Sequence, residues 1–217
     1  MTMSIPPAAA PVPAGAGLLA IAGAYLPLAW LHYATKPLAT LLIVAMVWTG
    51  RSAEPGYRAG ILVGLLLSTL GDVFLMLPGD YFVFGLGSFL MAHIAYLFAF
   101  ARRERLFAVG WPVLAYAALA AAVLSVLWPQ LPPPLRLPVF VYVLVLTTMA
   151  AQAAVVWRRR PGRSSALAAT GGLFFVASDA MLAIDRFAAP FAAATAVVLA
   201  TYWIAQGLIG LSTVQRD

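Results

Sequence analysis

The sequence predicts an all-α membrane protein of eight transmembrane helices. Hydrophobic residues make up 64% of the 217-residue chain and charged residues 9%, where a soluble chain carries roughly 25% charged. So few charges cannot coat a water-facing globule, and the mean hydropathy is +0.96. Second, apolar runs rich in Leu and Ala recur along the chain at lengths suited to ~30 Å of hydrocarbon. Third, the cations segregate with alternate breaks between those runs. Disorder is excluded by the same composition, since disordered chains are polar and poor in aromatics.

Residues 1–15 carry no side-chain charge and lack the basic start of a signal peptide, so they are expected to form a loose tail. A single membrane domain follows over 16–212. Its runs cover about 16–33, 37–50, 57–78, 81–101, 109–128, 137–157, 164–186 and 190–212, the second being the shortest. The breaks carry turn chemistry: Lys36-Pro37, Glu54-Pro55-Gly56, Pro78-Gly79-Asp80, Pro132-Pro133-Pro134, Arg160-Pro161-Gly162 and Pro190. Proline opens helices readily, because its missing N–H would be unpaired in the first turn anyway. No run shows the period-two alternation of a barrel.

If eight spans alternate, one face receives Arg51, Arg58, Arg102, Arg103, Arg105, Arg158, Arg159, Arg160, Arg163 and Arg216. The other receives Lys36, Arg136 and Arg186. The positive-inside rule then places both termini in the cytoplasm. The net charge of +6 therefore reads as topology, and no nucleic-acid partner is expected.

The third and seventh spans echo each other. Asp72-Val-Phe-Leu75 matches Asp179-Ala-Met-Leu182, and Gly71 or Ser178 precedes each aspartate. Lys36-Pro37 and Arg136-Leu-Pro138 precede the second and sixth spans. The offsets are near half the chain, which suggests two four-helix halves in parallel orientation. Internal repeats often place a site at their interface.

Of the seven acids, Asp72 and Asp179 alone fall well inside spans, both in the outer half. An intramembrane carboxylate is expensive and marks a functional site by default. The structural alternative is an aspartate that locks two helices together. Ser68 lies one turn below Asp72. His93 with Tyr96, and Tyr202 with Gln206, are pairs at helical spacing. Tyr142 lies near the outer end of the sixth span. Lys36, the one lysine beside twelve arginines, stands where the second span begins. It could meet an anion or simply snorkel, just as His93 could be a helix–helix bond and the tyrosines packing. With no cysteine and two histidines, a thiolate site or a three-histidine zinc site is impossible; no metal and no cofactor are expected.

Five motifs in order resemble the YhhN/TMEM86 family of integral membrane lysoplasmalogenases. They are Lys36-Pro37; Leu67-Ser68-x-x-Gly71-Asp72-x-x-Leu75; Gly85-x-x-x-Phe89-x-x-x-His93-x-x-Tyr96; Gly172-x-x-Phe175-x-x-Ser178-Asp179-x-x-Leu182; and Tyr202-x-x-x-Gln206. The resemblance implies hydrolysis of the vinyl ether of a lysoplasmalogen, a lysophospholipid drawn from the bilayer, to a fatty aldehyde and glycerophospho-ethanolamine or -choline. Protonation of the vinyl β-carbon gives an oxocarbenium-like ion, which calls for one acid and one base or stabilising charge. Asp72 and Asp179 would be that pair, with the order open. His93, Tyr96 and Tyr202 would orient water or a carboxyl, with Ser68, Ser178, Tyr142 and Gln206 around them, and Lys36 would meet the headgroup phosphate. The bias toward Ala and Arg suggests a bacterial cytoplasmic membrane. The competing reading is a small transporter or lipid-handling protein with the aspartates as a proton or cation relay.

Overall fold

A computed structural model describes residues 29–215, with side chains described from residue 35. Among the described residues every regular element is helical. The helices are α1 (Ala29–Thr49), α2 (Pro55–Met76), α3 (Phe82–Arg103), α4 (Gly110–Leu127), α5 (Pro133–Arg159), α6 (Arg163–Phe187) and α7 (Ala194–Leu211), with a 3₁₀ turn at Trp128–Gln130. The six from α2 to α7 are long and apolar enough to cross a membrane, as expected of a multi-pass membrane protein. Apart from its residues 29–33, the expected first span lies outside the described residues, as do the tail and both chain termini.

Proline opens α2 at Pro55 and α5 at Pro133, and neither helix has a side-chain cap. Two expected helix openings are corrected. Helix α1 runs straight through Lys36-Pro37, with Pro37 inside it. Helix α5 begins at Pro133, so Arg136 and Pro138 lie within it rather than at its start. An interior proline removes one backbone bond, but its fixed φ is already helical. In a water-poor environment the flanking amides have no partners other than helical ones. Lys36 is therefore held in the helix and buried, not placed at a helix mouth.

The loops gather at two ends. At the cation-rich end, Arg103 bonds Glu54 at 3.0 Å and Ser164 at 3.1 Å, and Tyr57 meets Ser212 at 2.6 Å. Gln152 in α5 donates to the Glu104 carbonyl at 2.9 Å and accepts from Phe107 N–H at 3.2 Å. That bond steadies a loop in which Phe107 has φ of 57°. At the opposite end Arg186 pairs with Asp80 at 3.0 Å and lies 4.1 Å over the Phe82 ring.

The packing repeats. Helix α1 packs on α2 as α5 packs on α6, α2 pairs with α3 as α6 pairs with α7, and α3 meets α5 as α7 meets α1. Helix α4 leans mainly on α5 and stands outside this scheme. Close approach within the pairs needs glycine. A Cβ on Gly64 would lie 2.2 Å from the Tyr96 ring, and one on Gly171 would lie 2.9 Å from the Ala205 carbonyl. Between the two three-helix units, α1–α3 and α5–α7, sits one core that includes Leu65, Tyr96, Phe100, Met149, Phe175 and Ile209.

Candidate active site

Asp72 lies about one turn before the end of α2, and Asp179 about two turns before the end of α6. Each aspartate is on the middle helix of its three-helix unit. Each takes one partner from the first helix of its own unit and one from the third helix of the other. For Asp72 these are Thr40 of α1, donating to Oδ2 at 3.1 Å, and Tyr202 of α7, donating to Oδ2 at 2.7 Å. Lys36 Nζ adds an ion pair to Oδ1 at 3.5 Å. For Asp179 they are Tyr142 of α5, donating to Oδ2 at 2.5 Å, and His93 of α3, whose Nε2 is 3.5 Å from Oδ2.

The two environments differ in kind. Asp72 is sealed, with 2% of its side chain exposed, and both its oxygens face donors, one of them cationic. Asp179 keeps 14% exposure. Its two contacts fall on Oδ2, and among the described residues Oδ1 has no hydrogen-bond partner. His93 also meets the Tyr142 hydroxyl at 3.0 Å through Nε2, while its Nδ1 is buried without a partner among the described residues. Its hydrogen bonding thus runs through one nitrogen, into Tyr142 and Asp179.

Rings fill the space between the carboxyls. Phe175 packs edge-on against His93 at 4.6 Å and against Tyr202 at 5.6 Å, and Phe89 lies 5.8 Å from Tyr202. Such edge-to-face contacts fix ring orientation as well as burying area.

Both aspartates line one cavity, which has about 1040 Å³ of empty space counted out to its mouth. Lys36, Tyr142, Ser178 and Tyr202 reach its wall too. Away from these and Thr147 the lining is apolar, with Leu86, Val123, Leu127, Val139 and Phe187 among it. The Ser178 hydroxyl donates to the Val198 carbonyl at 3.0 Å and so ties α6 to α7.

Four expected site residues lie outside the lining. His93 stands behind Tyr142. Tyr96 donates to Gln206 Oε1 at 2.6 Å in a layer beneath, and the Ser68 hydroxyl is buried without a hydrogen-bond partner among the described residues. Lys36 Nζ faces Asp72 Oδ1. Sequence reasoning missed Thr40. The signal for Thr40 was its place one turn after Lys36 on the same helix face, whereas Phe175 stood in a quoted motif without an assigned role. Among the described residues no cluster of His, Cys, Asp or Glu has the makings of a metal site.

This arrangement can hold an apolar molecule with a reacting bond near two unlike carboxyls.

Comparison with known proteins gives the same direction. The YhhN family model matches residues 31–213. The chain is 35% identical over 165 residues to a human protein named lysoplasmalogenase TMEM86A, covering 71% of this chain and 65% of the relative. It is 34% identical over 190 residues to human lysoplasmalogenase TMEM86B, covering 87% and 77%. It is 26% identical over 181 residues to the uncharacterized membrane protein YhhN of Escherichia coli O157:H7, covering 83% and 86%. The chain thus spans just under two thirds of the TMEM86A relative's length. No solved structure matches.

Proposed function

The chain belongs to the YhhN family, and on that premise we propose that it is a lysoplasmalogenase-like hydrolase acting on a single-chain ether lipid taken from the bilayer. The observation that carries this reading is the placement of Asp72 and Asp179, with unlike partners, on one otherwise largely apolar cavity.

In this reading protonated Asp179 gives its proton to the β-carbon of the vinyl ether. Positive charge then spreads over the ether oxygen and the α-carbon. The ionised Asp72, held by Lys36, Thr40 and Tyr202, stabilises that ion, since a preorganised charge in a dry site counts most where charge develops. Water adds at the α-carbon and passes its proton to Asp179, which restores the acid. The resulting hemiacetal breaks its C–O bond to release a fatty aldehyde and the glycerophospho alcohol. Overall one water is consumed and no electrons are transferred. Tyr142 orients Asp179 by donating to Oδ2. His93, with its proton on Nε2, donates to the Tyr142 oxygen and fixes that direction. Glycosidases use paired carboxyls around a related ion.

The headgroup lies toward the cation-poor end, which the positive-inside rule makes the outer face, with the cation-rich loops in the cytoplasm of a bacterial inner membrane. Protein purified in detergent, where no gradient exists, should release fatty aldehyde from lysoplasmenylethanolamine, read by mass spectrometry. The saturated ether analogue should stay intact. No aldehyde, or equal cleavage of an ester analogue, would remove the vinyl ether assignment.

A further inference from the structure

Helix α4 is attached on one side. It packs against α5, has few contacts with α6, and buries only Pro112, Ala120 and Leu127. Two voids lie along its α6 side. One is the carboxyl-lined cavity, which extends to Leu119, Ala120 and Val123 on α4. The other is a cleft of about 810 Å³ of empty space toward the cation-rich end, lined by Trp111, Leu119, Trp157, Ala166, Thr170 and Leu173 among others. Leu119 lines both.

We propose that the seam between α4 and α6 is the groove that receives the hydrocarbon chain of the lipid substrate, with Leu119 as the side chain over which the chain passes. The inference rests on the proposed lipid-cleaving site only for the position of the reacting bond. Direction follows from depth. Both carboxyls lie near the cation-poor end, so a headgroup reaching water there leaves its chain to run the other way, as bilayer chains do. The second cleft lies along that path. Length agrees as well. From Asp179 to Ala166 is thirteen residues of one helix, ~20 Å at 1.5 Å per residue, a span suited to an extended long alkyl chain. The far end carries the marks of a membrane boundary: Trp111 and Trp157 line the cleft, and the Arg158 guanidinium lies 5.9 Å from the Trp111 ring. Tryptophan and arginine gather at that level. The lining has no charged residue, which suits a hydrocarbon and no headgroup.

The seam also gives a lateral way in. A chain can enter sideways between α4 and α6 without leaving the bilayer, because few contacts must part.

The test uses full-length protein in lipid nanodiscs with a lysophosphatidylethanolamine that bears a diazirine at the end of a long saturated chain. After irradiation, peptide mapping should find the label on 111–119 and 166–173. Equal labelling at Phe98 or Leu137, both exposed and in the lining of neither void, overturns the proposal. A second arm places Thr170→Trp in the cleft, distant from the carboxyls. The ratio of kcat/KM for a hexadecenyl over a hexenyl substrate should fall by about 5–150-fold, the range for overfilling a packed space. An unchanged ratio, with the variant folded and active, also overturns it. If no lysoplasmalogen is cleaved at all, the labelling arm still reads the groove, and the vinyl ether chemistry fails separately.

Discussion

Replacing Lys36 by methionine removes an ammonium but keeps an unbranched stem of similar reach. Its partner is Asp72 Oδ1 at 3.5 Å, with 10% and 2% of the two side chains exposed. At that distance and an effective dielectric of ~20 the attraction is about 5 kcal/mol. Removing one member of a buried pair typically costs about 3–5 kcal/mol, because the other charge is stranded. For a chain of this size each kcal/mol moves the midpoint by about 2–4 °C, so Lys36→Met should lower Tm by about 6–20 °C. The double variant Lys36→Met with Asp72→Asn strands no charge and should regain most of that loss, while activity stays absent. Thermal unfolding in detergent of the wild type, both single variants and the double variant closes a mutant cycle. If the single costs add to within about 0.5 kcal/mol, as they do for groups that do not interact, the pair is not coupled. The assignment of Asp72 as the held charge then fails with it.

The remaining predictions concern chemistry, packing and topology. Asp179→Asn should lower kcat by at least ~100-fold, the low end of a general acid contribution, with little loss of Tm; a well-folded variant keeping a tenth of the wild-type rate would return Asp179 to a structural role. His93 works through Tyr142, so His93→Gln should reduce kcat in the wild-type background and add little in a Tyr142→Phe background, and full additivity of the two rates would contradict the relay. Gly64→Ala puts a Cβ 2.2 Å from the Tyr96 ring and should cost about 1–3 kcal/mol as overpacking, read as a lower Tm; an unshifted midpoint would show that α2 and α3 part freely. Fusion reporters at Gly162 and Pro133 should report opposite sides of the membrane, and the same side for both would undo the alternation of spans.

Much of this was legible in the chain because membrane helices advertise themselves by length and by where arginine falls. The segments from Pro55 to Leu211 match expectation to within a few residues. The two helix openings that failed, Lys36-Pro37 and Arg136-Leu-Pro138, share one cause. Proline signals a helix start in water, where flanking amides have another partner, and the signal weakens where they do not. Asp72 and Asp179 stood out because ionisable groups are rare in apolar spans. Their partners were harder to assign. Tyr142, Tyr202 and Lys36 are ordinary residues until a third dimension places them on a carboxyl, and spacing along one helix says nothing about which neighbouring helix a side chain meets. Tyr96 and Gln206 illustrate this. Their helical positions were correctly noted, yet they bond each other below the cavity at 2.6 Å. The seam beside α4 left no trace in the pattern, since an apolar residue lining a void reads the same as one filling it.

The crossing of partners between the two units has an evolutionary side. Were each unit a separate polypeptide pairing with an identical copy, both aspartates would receive the same neighbours by symmetry, and neither could specialise. Joining the copies in one gene frees each position to drift alone. Lysine and threonine could then settle beside one carboxyl, tyrosine and histidine beside the other. Equal acids come to sit in unlike surroundings without any change in backbone plan. Severing the chain within the α4 region and supplying both fragments would keep that inequality, whereas two copies of either fragment would erase it.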